Sequence, residues 1–147
     1  MITKLITCKG MSRKDGAMLK LLIITPDASG FADFARELTE TGRLEIFWAE
    51  TGAQALAMLA GAPVDLAVAD ESLGDMTGLA FAEKLVSLNP MINCALVSSR
   101  PADEFHEISE GLGILAQLTP NPDPKQAIDL IRHLENIFSL SSNIKDR

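Results

Sequence analysis

The sequence predicts an α/β fold of the (βα)5 type, a doubly wound five-stranded parallel sheet with helices on both faces. Three observations predict it. Five short apolar runs begin at roughly 20-to-28-residue intervals, and each is followed by a stretch with helical apolar spacing. Gly, Pro or a helix-capping residue stands at most of the junctions. The whole chain has 147 residues, enough for one domain with its own core.

Leu21-Leu22-Ile23-Ile24 is a continuous apolar run stopped by Thr25-Pro26-Asp27, as expected of a strand buried on both faces. Phe31, Phe34, Ala35 and Leu38 then share one helical face, which Gly42 ends from a C′ position. Leu44 to Trp48 forms the second strand, in which Trp48 is read as packing. Thr51 caps a helix carrying Ala55, Leu56 and Leu59, closed by Gly61-Ala62-Pro63. Leu66 to Ala69 is the third run. It ends at Asp70, and the loop from Glu71 to Gly78 leads into a helix with Leu79, Ala82, Leu85 and Val86. Ile92 to Val97 is the fourth strand, ending in Ser98-Ser99. Pro101 opens the next helix, with Asp103, Glu104 and Glu107 near its positive dipole end. Ile114 to Leu118 is the fifth strand, and Asp123-Pro124 starts a last helix striped by Ala127, Ile128, Ile131, Leu134 and Phe138. This places a loose N-terminal leader at 1–19, the domain at 20–138 and a C-terminal tail at 139–147.

Composition narrows the function classes. There are 13 basic and 20 acidic side chains, a formal net charge of −7. Residues 21–83 hold two of the basic and eleven of the acidic groups, so the middle of the chain repels phosphate backbones and nucleic acid is not expected as a partner. Only Cys8 and Cys94 occur, too few for a disulfide framework or a cysteine zinc site, as in a reducing compartment. Lys4 and Lys9 interrupt the apolar leader, leaving no signal-peptide h-region, and no apolar run approaches the roughly 20 residues that cross a bilayer. A cytoplasmic protein without membrane contact is expected.

In doubly wound sheets, function sits at the carboxyl ends of the strands. Asp70 is the residue that this rule singles out. A carboxylate at the end of a buried strand and the head of an eight-residue loop is either a nucleophile or metal ligand, or a loop hydrogen-bond acceptor. Spacing alone leaves both readings open. His106 and His133 lie on amphipathic helices without metal-ligand neighbours and are read as structural.

Asp65-Leu66-Ala67-Val68-Ala69-Asp70, followed by Leu73-Gly74-Asp75-Met76-Thr77-Gly78-Leu79, resembles the third strand and following loop of two-component response-regulator receiver domains. The resemblance covers about residues 20–138, with matching order and length of every element. It implies the flavodoxin-like receiver fold with strand order 2-1-3-4-5, and Asp70 as phosphoacceptor. The family loop usually reads Pro-x-Met-x-Gly; Met76 and Gly78 match it and Gly74 departs.

The same resemblance exposes replacements. Receivers open with an acidic pair after the first strand that holds Mg²⁺ together with the phosphoacceptor; here those positions are Thr25 and Pro26. Mg²⁺ dehydrates reluctantly and favours carboxylates, so binding through Asp70 and Asp27 should be weak. Asp27 also has a second reading, as a cap for the helix beginning near Ser29. Ser98 stands where a family hydroxyl contacts the phosphoryl group. Thr119 replaces the lysine of the Lys-Pro pair before Pro120, and Ala116 replaces the aromatic switch residue.

The resemblance implies a non-enzymatic signalling module in a phosphorelay, with weak Mg²⁺ binding and weak switching. Its partners would be a histidine kinase or phosphotransfer protein, or a downstream protein. A homodimer would use the face of helix four, strand five and helix five. The alternative is a degenerate receiver acting as a phosphorylation-independent interaction module, favoured by Thr25, Pro26 and Thr119. An enzyme built on Asp70 and Ser98 lacks a general base and an oxyanion site in the sequence.

Overall fold

The computed structural model describes residues 19–40, 44–62 and 64–146, with side chains placed as far as Ile137. Residues 1–18 of the leader, Gly42 and Pro63 lie outside the described residues, while Leu19, read as the leader's last residue, opens the first strand. The elements run β1 (Leu19–Ile24), a 3₁₀ turn (Ala28–Phe31), α1 (Ala32–Glu40), β2 (Leu44–Ala49), α2 (Gly52–Gly61) and β3 (Leu66–Ala69), then α3 (Gly78–Leu88), β4 (Asn93–Val97), α4 (Ala102–Ile108), β5 (Ile114–Leu118) and α5 (Pro124–Asp146). All five strands pair in parallel in the order β2-β1-β3-β4-β5.

The sheet alternates its side chains between two apolar layers. Leu21, Ile23, Val68, Ala95 and Val97 face α1 and α5, where Phe34, Leu38, Ala127, Leu130 and Leu134 complete the packing. Leu22, Ile24, Ala67, Ala69, Cys94 and Leu96 face the other way, against Leu59, Phe81, Leu85 and Phe105. Central strands β1 and β3 are buried on both faces, which is why they read as unbroken apolar runs. Phe31 packs edge-on against Phe34, with ring centroids 5.9 Å apart, fixing the 3₁₀ turn that precedes α1.

Several features depart from the sequence reading. Ile128, read on the apolar stripe of the last helix, is 41% exposed. Trp48 is 40% exposed at the β2 edge of the sheet instead of packed. Helix α5 also continues to Asp146, through the segment read as a tail. Among the described residues no helix is long and apolar enough to cross a membrane.

Candidate functional site at the carboxyl edge of the sheet

Strands β1 and β3 are neighbours, with Ile24 opposite Ala69, so Thr25 and Asp70 leave the sheet side by side. Asp70 N donates to Ile24 O at 2.9 Å and Thr25 N to Ala49 O at 2.9 Å, which carries the strand geometry one residue further. Thr25 is buried, at 3% exposure. Its Oγ1 donates to Asp70 Oδ2 at 2.7 Å and accepts from Asp27 N at 3.1 Å. The other carboxylate oxygen, Asp70 Oδ1, accepts from Glu71 N at 2.7 Å. Both oxygens of Asp70 are therefore engaged by this chain's own donors.

Asp27 is placed differently. Its Oδ1 accepts from Ser29 N at 3.1 Å and Ser29 Oγ at 2.6 Å, capping the 3₁₀ turn. Pro26 is exposed and offers no ligand atom. Among the described residues no group of three or more His, Cys, Asp or Glu side chains is arranged to hold a metal ion. A Mg²⁺ site of paired carboxylates does not fit these residues. Beside Asp70 stands a hydroxyl donor, Thr25 Oγ1, not a second carboxylate.

Ser98 follows β4, buried at 6% exposure; its N–H donates to Leu118 O at 2.9 Å and its Oγ accepts from Arg100 N at 3.1 Å. Thr119 does not join it. The Thr119 hydroxyl donates to Gln126 Oε1 at 3.1 Å, on the first turn of α5. Two residues brace the segment after β4 from opposite sides. Gln117 Nε2 donates to Arg100 O at 2.8 Å and to Ser98 O at 3.3 Å. Glu71 Oε2 accepts from Ser99 N and from Ser99 Oγ, both at 3.1 Å. Beside them opens a cleft of about 470 Å³ between α3 and α4, with Glu71, Leu79, Leu96, Ser98, Arg100 and Phe105 in its lining.

The loop from Glu71 to Gly78 is fastened to α2. Asp75 Oδ1 accepts from Gly52 N at 2.9 Å and Oδ2 from Ala53 N at 3.0 Å. These two backbone donors at the helix start hold its carboxyl below the usual carboxylate range. Gly78 is required by close approach, because a Cβ there would stand 2.5 Å from Asp70 O. Gly74 adopts φ +88°, a backbone that favours glycine, where the resembled family usually carries proline.

Sequence reasoning thus identified Asp70, Thr25 and Ser98 at one edge, and the structure brings them there. Asp75, Glu71 and Gln117 were not identified as positioning residues. The Glu71 side chain reaches Ser99, 28 residues on. Asp75 reaches back 23 residues to Gly52. The single signal for it was Gly52 directly behind the Thr51 cap, a position where something could approach the backbone closely.

No family model matches the sequence, and no curated protein matches it. Solved structures do. A CheY-like response regulator receiver domain protein from Methanospirillum hungatei has TM-score 0.74 and 22% identity, over 85% of this chain and 99% of that one. The chemotaxis response regulator CheY4 of Vibrio cholerae has TM-score 0.71 and 20% identity, over 80% of this chain and 99% of that one. A pilus assembly protein (cpaE) from Burkholderia thailandensis has TM-score 0.65 and 25% identity, over 81% of this chain and 99% of that one. The five parallel strands in order 2-1-3-4-5, with Asp70 at the carboxyl edge of the third, make this the fold of the CheY-like receiver domain.

Proposed function

We propose that this chain is a receiver module of two-component signal transduction, with Asp70 as its phosphoacceptor position, weak Mg²⁺ binding and a weak conformational switch. The observation that carries the reading is the edge itself. Asp70 stands at the end of the third strand of a receiver fold, with the Ser98 hydroxyl at the end of the strand beside it. The weakness follows from Thr25, Pro26 and Thr119, which replace two carboxylates and a cation by two hydroxyls and a ring. The module transmits by being bound, not by turnover. A histidine kinase or phosphotransfer protein is its input, and a downstream protein or a second copy on the α4–β5–α5 face its output, in the cytoplasm.

The test is mass spectrometry after incubation with acetyl phosphate and Mg²⁺, comparing the chain with Asp70→Asn. A phosphoryl mass on Asp70 that the variant lacks supports the reading; its absence at saturating Mg²⁺ leaves the second reading. That second reading is a phosphorylation-independent interaction module. It is favoured by one observation, that Thr25 Oγ1 and Glu71 N already occupy both oxygens of Asp70.

A further inference from the structure

At the end of β4, Ser99 presents two donors, its backbone N–H and its hydroxyl, and both point to one acceptor atom, Glu71 Oε2. Converging backbone and hydroxyl donors form a seat for a negatively charged oxygen. Glu71 is the residue directly after Asp70, so the anion filling this seat is tethered one position from the phosphoacceptor position. Ser99 is exposed, and so are its two bonds to Glu71, which leaves these donors open to an external anion once Glu71 moves. Ser98, at the same strand end, is buried and lines the same cleft as Glu71.

We propose that Glu71 is a built-in anion that occupies the Ser99 seat and competes with any external tetrahedral oxyanion, phosphoryl included, for those donors. The phosphoryl part of this rests on the reading of Asp70 given above; the seat and its occupancy do not. Two effects add. The carboxylate fills the donors, and its charge repels an arriving anion at close range. The cleft edge is thereby kept in an anion-bound arrangement without phosphorylation, and modification of Asp70 has to displace Glu71 before it can engage Ser99.

The first experiment follows the Ser99 amide by NMR in the full chain carrying Asp70→Asn, with and without Glu71→Ala, during titration with inorganic phosphate. A saturable shift at Ser99 only when Glu71 is replaced is the expected result. No phosphate response in the double variant, or an equal response in both proteins, overturns the proposal. The second experiment measures beryllofluoride affinity at Asp70 in the otherwise unaltered chain. Glu71→Ala should tighten it about tenfold, as expected for removing one nearby surface charge and a competing acceptor, with Glu71→Gln falling between. Equal beryllofluoride affinities overturn the competition. If phosphate reaches Ser99 in the double variant but beryllofluoride binds none of the proteins, the seat stands and the phosphoacceptor reading of Asp70 fails.

Discussion

Thr25 and Asp70, 45 residues apart in sequence, meet through a 2.7 Å hydrogen bond from the buried Thr25 hydroxyl to Asp70 Oδ2. A carboxylate at position 25 would repel Asp70 and need a cation between them. A hydroxyl attracts it and needs none. The fold of a receiver is thus retained at this edge, with a hydroxyl donor beside Asp70.

Thr25→Val keeps the shape of the side chain and removes the donor. A hydrogen bond to a charged group is worth about 1.5–3 kcal/mol, and Asp70 is only half-buried, so a loss of about 1–2 kcal/mol is expected. Asp27 N loses its acceptor as well. For a chain of this size that lowers Tm by roughly 3–6 °C. Thr25→Ser, which keeps the hydroxyl, should recover most of it. Equal denaturation midpoints for the Val and Ser variants would show that the bond contributes nothing.

Restoring carboxylates should restore metal dependence. Thr25→Asp combined with Pro26→Asp places two negative groups beside Asp70, destabilising the metal-free protein and raising Mg²⁺ affinity. Thermal unfolding with and without millimolar Mg²⁺ reads both effects at once. The double variant should gain stability from Mg²⁺ by mass action, and the unaltered chain should gain little. A large Mg²⁺-dependent rise in the unaltered chain would mean that its ligands are elsewhere.

Gly78→Ala tests the closest backbone approach at the site. The new Cβ would stand 2.5 Å from Asp70 O, a backbone atom that cannot swing aside. The expected cost is about 2–3 kcal/mol, the upper part of the overpacking range. Gly61→Ala is the control. Nothing lies within 4 Å of its Cβ, and alanine at the end of α2 should be neutral or stabilise by up to about 1 kcal/mol. Chemical denaturation of the two variants should give shifts of opposite sign or clearly unequal size.

The contrast between Gly78 and Asp75 shows how much of this site was legible beforehand. Strand–helix alternation fixed the element order, and the strand ends picked out Asp70, because burial imposes period and length on the chain locally; Ser98 was singled out only through the family resemblance. Thr25 was legible as the residue ending β1, but not that its hydroxyl would bond Asp70. Asp75, Glu71 and Gln117 act on Gly52, on Ser99 and on the backbone of Ser98 and Arg100. Each contact depends on which loops the finished sheet brings together, and no periodicity records that. Thr119 follows β5, and its hydroxyl bonds the nearby Gln126 on α5, a contact of the same kind.

Asp75 gives a prediction in pH. Bonds from Gly52 and Ala53 favour its charged form, so its pKa in the folded chain lies below the ordinary value of 3.8. A depressed carboxyl stabilises the fold fully above its ordinary value and loses that contribution as pH falls through the folded one. The stability difference between the chain and Asp75→Ala should therefore be constant near neutrality and shrink below about pH 4. Denaturation midpoints measured for both proteins across that range check it, and a difference that persists undiminished in acid would assign the effect to packing instead.

The last expectation concerns switching. Moving a two-state equilibrium from 1:99 to 99:1 takes about 5.5 kcal/mol of differential binding. A neutral hydroxyl bond of the kind Ser98 offers contributes about 0.5–1.5 kcal/mol, and even with Thr119 the sum is roughly 1–3. Thr119 is already committed to Gln126, which lowers that sum further. Ala116 supplies no aromatic ring to couple the edge to the α4–β5–α5 face. Gln117 adds an opposing constraint, since its two bonds tie Ser98 O and Arg100 O to β5. Partner affinity or oligomeric state should therefore change by less than about a hundredfold on adding beryllofluoride, roughly 2.7 kcal/mol. Gln117→Leu, which removes the brace, should widen the response. A larger change in the unaltered chain, or one that Gln117→Leu leaves the same, would show that the switch runs through other residues.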